Sequence, residues 1–318
     1  MKKKVTIIIP VFNEQDNIQP LYKAIEKVFY GLSYDYNIIF IDDGSSDATL
    51  DMIKSIADFT LNVQFISFSR NFGHQSALKA GIDMSESDCV ISMDGDMQHP
   101  PELIPRFLKK WENGYDVVYT IRQEDAALSY QKRKISSFFY TFLNYISDVN
   151  IEKGTADFRL LSRNVVEIIK NLDDCDLFLR GMVKWIGFKQ YAIEYEPMPR
   201  RSGVTKYSFK KMMRLALNGI TSFSDKPLHI AAYLGLVFSL LSVLYLPYAI
   251  GSYLLGYAIS GWTSVIVTIS FFGGLQLMIL GIIGIYLGKL FMQSKRRPLY
   301  ITKESNIVCK EKIETMSF

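Results

Sequence analysis

The sequence predicts an α/β domain built on a mostly parallel sheet flanked by helices, followed by interfacial amphipathic helices and a two-helix transmembrane hairpin. Three observations carry this. Short β-rich runs alternate with helix-like segments up to residue 119, as in sheets whose parallel strands are joined by crossover helices. No Asp, Glu, Lys or Arg occurs from Pro227 to Gly288, whereas the preceding residues have a mixed composition. Polar and acidic clusters fall at the ends of the strand-like runs, the carboxyl edge where open sheets of this kind bind ligands.

Val5 to Ile9, Asn37 to Ile41, Val63 to Phe68, Cys89 to Met93 and Asp116 to Tyr119 read as buried strands. Asn17 to Phe29, Ala48 to Ala57, Gln75 to Asp83 and Pro101 to Glu112 have helical composition. Ser45, Ser46 or Asp47 and Pro101 supply N-terminal signals. The clusters Asn13-Glu14, Asp42-Asp43-Gly44-Ser45, Ser69-Arg70-Asn71 and Asp94-Gly95-Asp96 then share one edge of the sheet. No GxGxxG or GxxxxGK[ST] occurs, which argues against a dinucleotide-binding or P-loop NTPase domain.

Beyond residue 120 the pattern changes. Arg133 to Ser147 places Ile135, Phe138, Phe139, Phe142, Leu143 and Ile146 on one helical face, behind Lys132, Arg133 and Lys134. Tyr207 to Phe223 does the same with Phe209, Met212, Met213, Ala216, Ile220 and Phe223 opposite Lys210, Lys211 and Arg214. Apolar stripes with basic flanks suit helices lying in a bilayer interface, about 132–147 and 207–223 here. Packing on the domain core is the alternative for both.

The 318 residues are 49% apolar, and the excess is concentrated in two runs, about 230–255 and 265–287. Each exceeds the roughly 20 helical residues that cross a hydrocarbon core. A buried hairpin in a soluble protein is the competing reading, disfavoured by two consecutive charge-free spans. Lys226 precedes the first run and Lys289, Lys295, Arg296 and Arg297 follow the second, while the intervening Gly256 to Ser264 carries no charge. The positive-inside rule then puts both termini in the cytoplasm. The expected organisation is a cytoplasmic domain at 1–226, two transmembrane helices at 227–290 and a cytoplasmic tail at 291–318. Met1 to Lys4 opens no signal-peptide pattern, so the expected location is the cytoplasmic membrane, multi-pass, with the active site on the cytoplasmic side. Cys89, Cys175 and Cys309 show no disulfide or metal-ligand spacing. The net charge of +4 is modest, with basic clusters placed to meet anionic headgroups.

Asp94 and Asp96 end the fourth strand-like run at i, i+2 spacing, which projects both carboxylates to one side. Hard oxygen ligands of this kind suit Mg²⁺ or Mn²⁺, and Gln98 can add a carbonyl oxygen. A metal on a diphosphate would neutralise charge developing on a leaving nucleotide. By themselves two such carboxylates are equally compatible with a solvated loop.

Four motifs stand in order: Ile7-Ile8-Ile9-Pro10-Val11-Phe12-Asn13-Glu14, Ile41-Asp42-Asp43-Gly44-Ser45-Ser46-Asp47, Ser69-Arg70-Asn71-Phe72-Gly73-His74 and Met93-Asp94-Gly95-Asp96-Met97-Gln98-His99-Pro100. Together they resemble family 2 glycosyltransferases of the GT-A fold. Thr155-Ala156-Asp157-Phe158-Arg159-Leu160, Phe178-Leu179-Arg180-Gly181 and Gly203-Val204-Thr205-Lys206-Tyr207 narrow the resemblance to polyprenyl-phosphate glycosyltransferases, relatives of dolichol-phosphate mannose synthase and bactoprenol glucosyltransferases. The likeness covers nearly the whole chain, hairpin included.

The resemblance implies that Pro10, Asn13, Glu14, Asp42, Arg70 and Asp94 line a nucleotide pocket. Asp94, Asp96 and Gln98 would hold Mg²⁺ or Mn²⁺, and Asp157 would sit with Asp96 at the reacting centre. The bland alternatives are that Pro10 and Asn13 turn the chain, Asp42 and Asp43 cap a helix, and Arg70 is a surface charge. The implied partners are a nucleotide-sugar donor, a polyprenyl phosphate acceptor and membrane lipid, with no nucleic acid; oligomeric state stays open. The implied reaction is inverting transfer of a single sugar, with UDP-glucose and undecaprenyl phosphate the expected pair, for surface polysaccharide or glycolipid modification. Processive synthases share the sheet but carry a QxxRW segment absent here. A non-catalytic scaffold or flippase component is the reading from a different class. Asp157 has two readings, general base or orienting group, with structural pairing to Arg159 as a third. A phosphate monoester has a second pKa of about 6 and is already largely dianionic at neutral pH, so the orienting role is favoured. Arg122, Arg201 and Lys206 are the residues expected to meet the acceptor phosphate.

Overall fold

The computed structural model describes residues 2–123, 154–172, 174, 178–196, 224–255 and 261–307. These fall into two compact units: a sheet unit, to which 298–307 returns, and a helical unit holding 224–297.

In the sheet unit the chain runs β1 (Lys4–Val11), α1 (Gln15–Phe29), β2 (Asp35–Asp42), α2 (Thr49–Phe59), β3 (Val63–Phe68), α3 (His74–Met84), β4 (Cys89–Ser92), a 3-10 turn (Pro101–Leu103), α4 (Ile104–Glu112) and β5 (Val117–Arg122). It continues through β6 (Thr155–Ser162), α5 (Arg163–Lys170), α6 (Leu179–Trp185) and β7 (Gln190–Tyr195). All five predicted strands and all four predicted helices are present. The spatial order is β7-β5-β6-β4-β1-β2-β3, with a last strand, β8 (Thr302–Ser305), at the β3 edge. β1 pairs in parallel with β2 and β4, β2 with β3, and β5 with β7; the β4–β6, β5–β6 and β3–β8 pairings are antiparallel.

β1 explains why its sequence reads as an unbroken apolar run. It is the centre of the parallel block, and Ile7, Ile8 and Ile9 are all 0% exposed, so both faces must be apolar. Each such isoleucine contributes roughly 2 kcal/mol of burial. On one face Ile7 and Ile9 join Ile18, Leu21 and Ile25 of α1, Ile53 of α2 and Phe107 of α4 in a common core. On the other face α3 approaches so closely that a Cβ on Gly81 would collide with Ile8 and meet Ile41. Helices therefore cover both faces, and the loops leaving β1, β2, β3 and β4 converge at one edge.

β8 falls within the segment expected to be a tail, 291–318. Residues 300–306 instead strap the β3 edge. Tyr300 stacks on Phe68 at 5.2 Å, the Ile301 carbonyl accepts the Ser69 N–H at 3.0 Å, and Lys54 pairs with Glu304 at 2.8 Å.

The helical unit contains α7 (Lys226–Leu254) and α8 (Trp262–Ser294). Phe238 of α7 packs edge-on against Phe271 and Phe272 of α8. Among the described residues one helix is long and apolar enough to cross a membrane, Val265–Ser294, with mean hydropathy 2.2 and none of its apolar window buried. α7 contributes the shorter apolar stretch Lys226–Leu241. Among the described residues this is one span where the sequence predicts two. The predicted interfacial helices, 132–147 and 207–223, lie outside them as well.

Candidate active site

The edge where the parallel strands end holds a cleft of about 360 Å³ lined by Pro10 and Val11 at the end of β1, Phe12 and Glu14 after it, Asp43 after β2, Asn71, Gly73 and His74 after β3, and Asp94, Gly95 and Asp96 after β4. Its floor is set by close backbone approaches. Gly44 has φ +72°, and a Cβ there would lie 2.6 Å from the Arg70 carbonyl carbon. A Cβ on Gly95 would lie 2.7 Å from a Val11 methyl and 3.3 Å from the Pro10 carbonyl oxygen. Two non-glycine residues, Asn13 (φ 55°) and Met97 (φ 64°), adopt left-handed backbone in the turns that bound the cleft, where strain often marks function.

Hydrogen bonds lock these loops together. Asn13 Oδ1 accepts the Ser46 N–H at 2.9 Å, and the Asn13 N–H donates to Ser45 Oγ at 2.9 Å. Asp42 is buried and spends its oxygens on the Ser45 N–H (3.0 Å) and the Ser67 hydroxyl (2.9 Å). Asp43 accepts the Phe72 N–H at 2.7 Å and the Gly73 N–H at 3.0 Å. Burial pushes the Asp43 carboxyl up from its ordinary value against those two donors. Arg70 is exposed and stacks over the Phe72 ring at 4.0 Å.

The acidic turn after β4 is held by two histidines. His74 Nε2 lies 2.8 Å from Asp94 Oδ1; the Asp94 N–H donates to His99 Nδ1 at 2.9 Å, and His99 Nε2 is 3.6 Å from Asp94 Oδ2. Buried His99 stacks on Phe158 at 5.1 Å. Asp96 Oδ1 accepts the Gln98 N–H at 3.1 Å. Burial alone would raise the Asp94 carboxyl, but the neighbouring His99 and His74 bring it below its ordinary value. Burial alone would lower the His74 imidazole, and the hydrogen bond and charge of Asp94, with Asp157, raise it instead.

Asp157, near the start of β6, is buried and bound by two guanidiniums. Arg180 of α6 contacts it through Nε (2.9 Å) and Nη2 (2.7 Å), and Arg159 through Nη2 (3.0 Å). Burial would raise this carboxyl, yet Arg180 and Arg159 hold it far below the usual carboxylate range.

A family profile described as "Glycosyl transferase family 2" matches residues 6–169, from β1 into α5. The chain belongs to glycosyl transferase family 2. Relatives extend the likeness along nearly its whole length. The uncharacterized glycosyltransferase YkcC of Bacillus subtilis (strain 168) is 39% identical over 306 residues, 94% of this chain and 93% of that protein. A prophage bactoprenol glucosyl transferase homolog of Escherichia coli (strain K12) is 40% identical over 301 residues, 94% of this chain and 98% of that protein. Among solved structures, the mannosyltransferase PcManGT from Pyrobaculum calidifontis, in complex with GDP-Man and Mn²⁺, is 14% identical, with 94% of this chain and 85% of that one covered and a TM-score of 0.48.

Of the residues singled out in the sequence of this family 2 enzyme, Pro10, Glu14, Asp94 and Asp96 line the cleft. Asn13, Arg70 and Gln98 sit in the loops that shape it, Asp42 ends β2 beneath them, Asp157 stands one strand over on β6, and Arg122 is exposed at the end of β5. Arg201 and Lys206 lie outside the described residues. The sequence placed Asp43 and Asn71 in the clusters at this edge but gave them no role in the pocket, and it gave none to the two histidines on Asp94 or to Arg180. The histidines had a usable signal: the chain has only 3, and two of them stand in the third and fourth motifs, His74 as the last residue of one and His99 next to last in the other.

Proposed function

We propose that this family 2 glycosyltransferase moves a single sugar, glucose, from UDP-glucose to undecaprenyl phosphate at the cytoplasmic face of the membrane, with inversion at the anomeric carbon. The observation that carries the reading is 40% identity, along 94% of this chain, to a protein described as a bactoprenol glucosyl transferase homolog, in a chain whose cleft keeps Asp94 and Asp96 on its wall. The product would serve modification of a surface polysaccharide or glycolipid.

The donor nucleotide sits in the cleft between the β1, β2 and β4 ends, against Pro10, Glu14, Asp43 and Asn71. Asp94, Asp96 and Gln98 would hold Mg²⁺ or Mn²⁺. The residues present fit such an ion: two carboxylates share the cleft wall, and Asp94 is held ionised. Substrate phosphates and water would complete the ion's shell. The ion, when bound, offsets negative charge on the departing nucleoside diphosphate. His74 and His99 orient Asp94, and Asp157 organises its two arginines rather than abstracting a proton; a dianionic acceptor phosphate needs no base.

For the membrane part we take α7 and α8 as a hairpin of two spans. The exposed apolar side chains along both, Leu240, Leu244, Leu277 and Leu287 among them, form a surface that water does not favour and lipid does. Charge at Lys226 and at Lys295 to Arg297 supports a cytoplasmic position for both ends and for the sheet unit.

The test is incubation of the purified full-length protein with undecaprenyl phosphate and, separately, UDP-glucose, UDP-galactose, UDP-GlcNAc and GDP-mannose, with mass spectrometry of the lipid. One hexose per lipid from UDP-glucose alone is the expected result. A ladder of sugars on each lipid would make the enzyme processive, and nucleotide binding without any transfer would leave a non-catalytic scaffold.

A further inference from the structure

A tyrosine hydroxyl taken out of water usually finds a hydrogen-bond partner, because the ring is apolar and the oxygen is not. Tyr195, the last residue of β7, departs from this. The residue is 6% exposed, and among the described residues nothing is hydrogen-bonded to its Oη. Its ring meets His99 edge-on at 6.0 Å. His99 in turn stacks on Phe158 at 5.1 Å and accepts the Asp94 N–H at 2.9 Å. The phenol is therefore held, through one imidazole, in a fixed relation to the acidic turn on the cleft wall.

Its surroundings follow from the sheet register. Tyr195 pairs with Arg122 at the ends of the parallel strands β7 and β5, so the two side chains leave the same face of the sheet. Burial pushes the phenol up to about 12, with Asp94 and Asp96 adding to the rise and Arg122 and Arg180 opposing it. The hydroxyl thus lies within electrostatic reach of the acidic turn, the end of β5 and α6. It stays an O–H donor throughout the neutral range, and an anionic oxygen is the partner that gains most from such a donor.

The sheet order decides which anion. The cleft is built from the ends of β1, β2, β3 and β4, whereas β6, β5 and β7 follow on the side of β4 away from β1. Tyr195 does not line the cleft. With a nucleoside diphosphate in the cleft, inversion requires the acceptor to meet the anomeric carbon from the side opposite the leaving group, the side of β6, β5 and β7. We propose that Tyr195 Oη donates a hydrogen bond to the phosphate of the lipid acceptor; this rests on the transfer reaction proposed above. The His99 ring keeps the donor in place before the lipid arrives, and a phenol with two side-chain torsions loses little freedom on binding. Arg122 beside it supplies charge, and the phenol supplies direction.

The experiment compares the wild-type full-length protein with Tyr195→Phe, which deletes the oxygen and keeps the ring against His99. Steady-state transfer is measured over a range of undecaprenyl phosphate at saturating UDP-glucose and over a range of UDP-glucose at saturating lipid. UDP affinity with Mn²⁺ is read by calorimetry, and a melting curve is recorded for each protein. Loss of one hydrogen bond to a charged oxygen predicts an acceptor KM raised roughly tenfold to a hundredfold. The UDP-glucose KM, the UDP affinity and the melting temperature are expected to stay unchanged. An unchanged acceptor KM overturns the assignment. Weaker UDP binding or a raised UDP-glucose KM, with the acceptor KM unchanged, overturns it in favour of the donor. A variant that fails to fold, or melts well below wild type, gives the hydroxyl a partner inside the protein and overturns it as well. A wild-type protein that makes no glycolipid removes the reaction and the assignment with it, an outcome distinct from an active wild type indifferent to the Tyr195 oxygen.

Discussion

At the residue scale, Asp157 shows how burial and charge compete. The carboxyl is desolvated, which favours its neutral form, yet two guanidiniums within 3.0 Å keep it ionised. Replacing it by Asn leaves Arg159 buried without its counter-ion, so Asp157→Asn should lower stability by about 3 kcal/mol. The folded-state carboxyl lies below its unfolded value of about 3.9, so its contribution is complete above about pH 4 and fades as pH falls below that. Denaturant melts of wild type and variant should therefore differ by a constant amount near neutral pH and converge in acid. A group that does not titrate near neutrality also predicts that the ratio of wild-type to Asp157→Asn activity stays flat from about pH 6 to about pH 9; a ratio that changes tenfold per pH unit would make Asp157 a base. Gly44→Ala places a Cβ against the Arg70 backbone at positive φ, which should cost about 2 kcal/mol and weaken UDP binding, read by thermal melting and calorimetry. Asp94 and Asp96 were legible in the sequence because their spacing is local and follows an apolar run. The Asp157–Arg180 pair was not, because its members are 23 residues apart on different elements and neither stands in a spacing pattern that implies the other.

At the scale of elements, the same distinction holds. β1 to β5 were readable because strands buried on both faces must be continuously apolar. β6 (TADFRLLS) carries an Asp and an Arg that pair with each other, and β8 (TKES) is polar and mostly exposed, an edge strand recognisable only by its partner. β8 ties residues beyond α8 to the root of the Ser69–Asn71 loop, through the Ile301 carbonyl on Ser69 and Tyr300 on Phe68 and Asp83. Tyr300→Ala should cost about 2 kcal/mol. Deleting 298–318 should in addition weaken UDP binding, since Asn71 lines the cleft; unchanged calorimetry would confine the strap to stability.

At the scale of the whole molecule, the proposed function assigns the chemistry to the sheet unit and contact with lipid to the helical unit. A two-span arrangement predicts that Ser260→Cys, in a background without Cys89, Cys175 and Cys309, reacts with a membrane-impermeant thiol reagent added to whole cells; protection until the cells are opened would put 256–264 on the cytoplasmic side and end the hairpin.

The most direct test of the account is transfer of labelled glucose from UDP-glucose to undecaprenyl phosphate by the purified full-length protein, with and without Mn²⁺ or Mg²⁺, beside Asp96→Ala. The account predicts a single, metal-dependent glycolipid that disappears in Asp96→Ala while the variant stays folded. Equal product from wild type and Asp96→Ala, or equal product with the metal chelated, would contradict it.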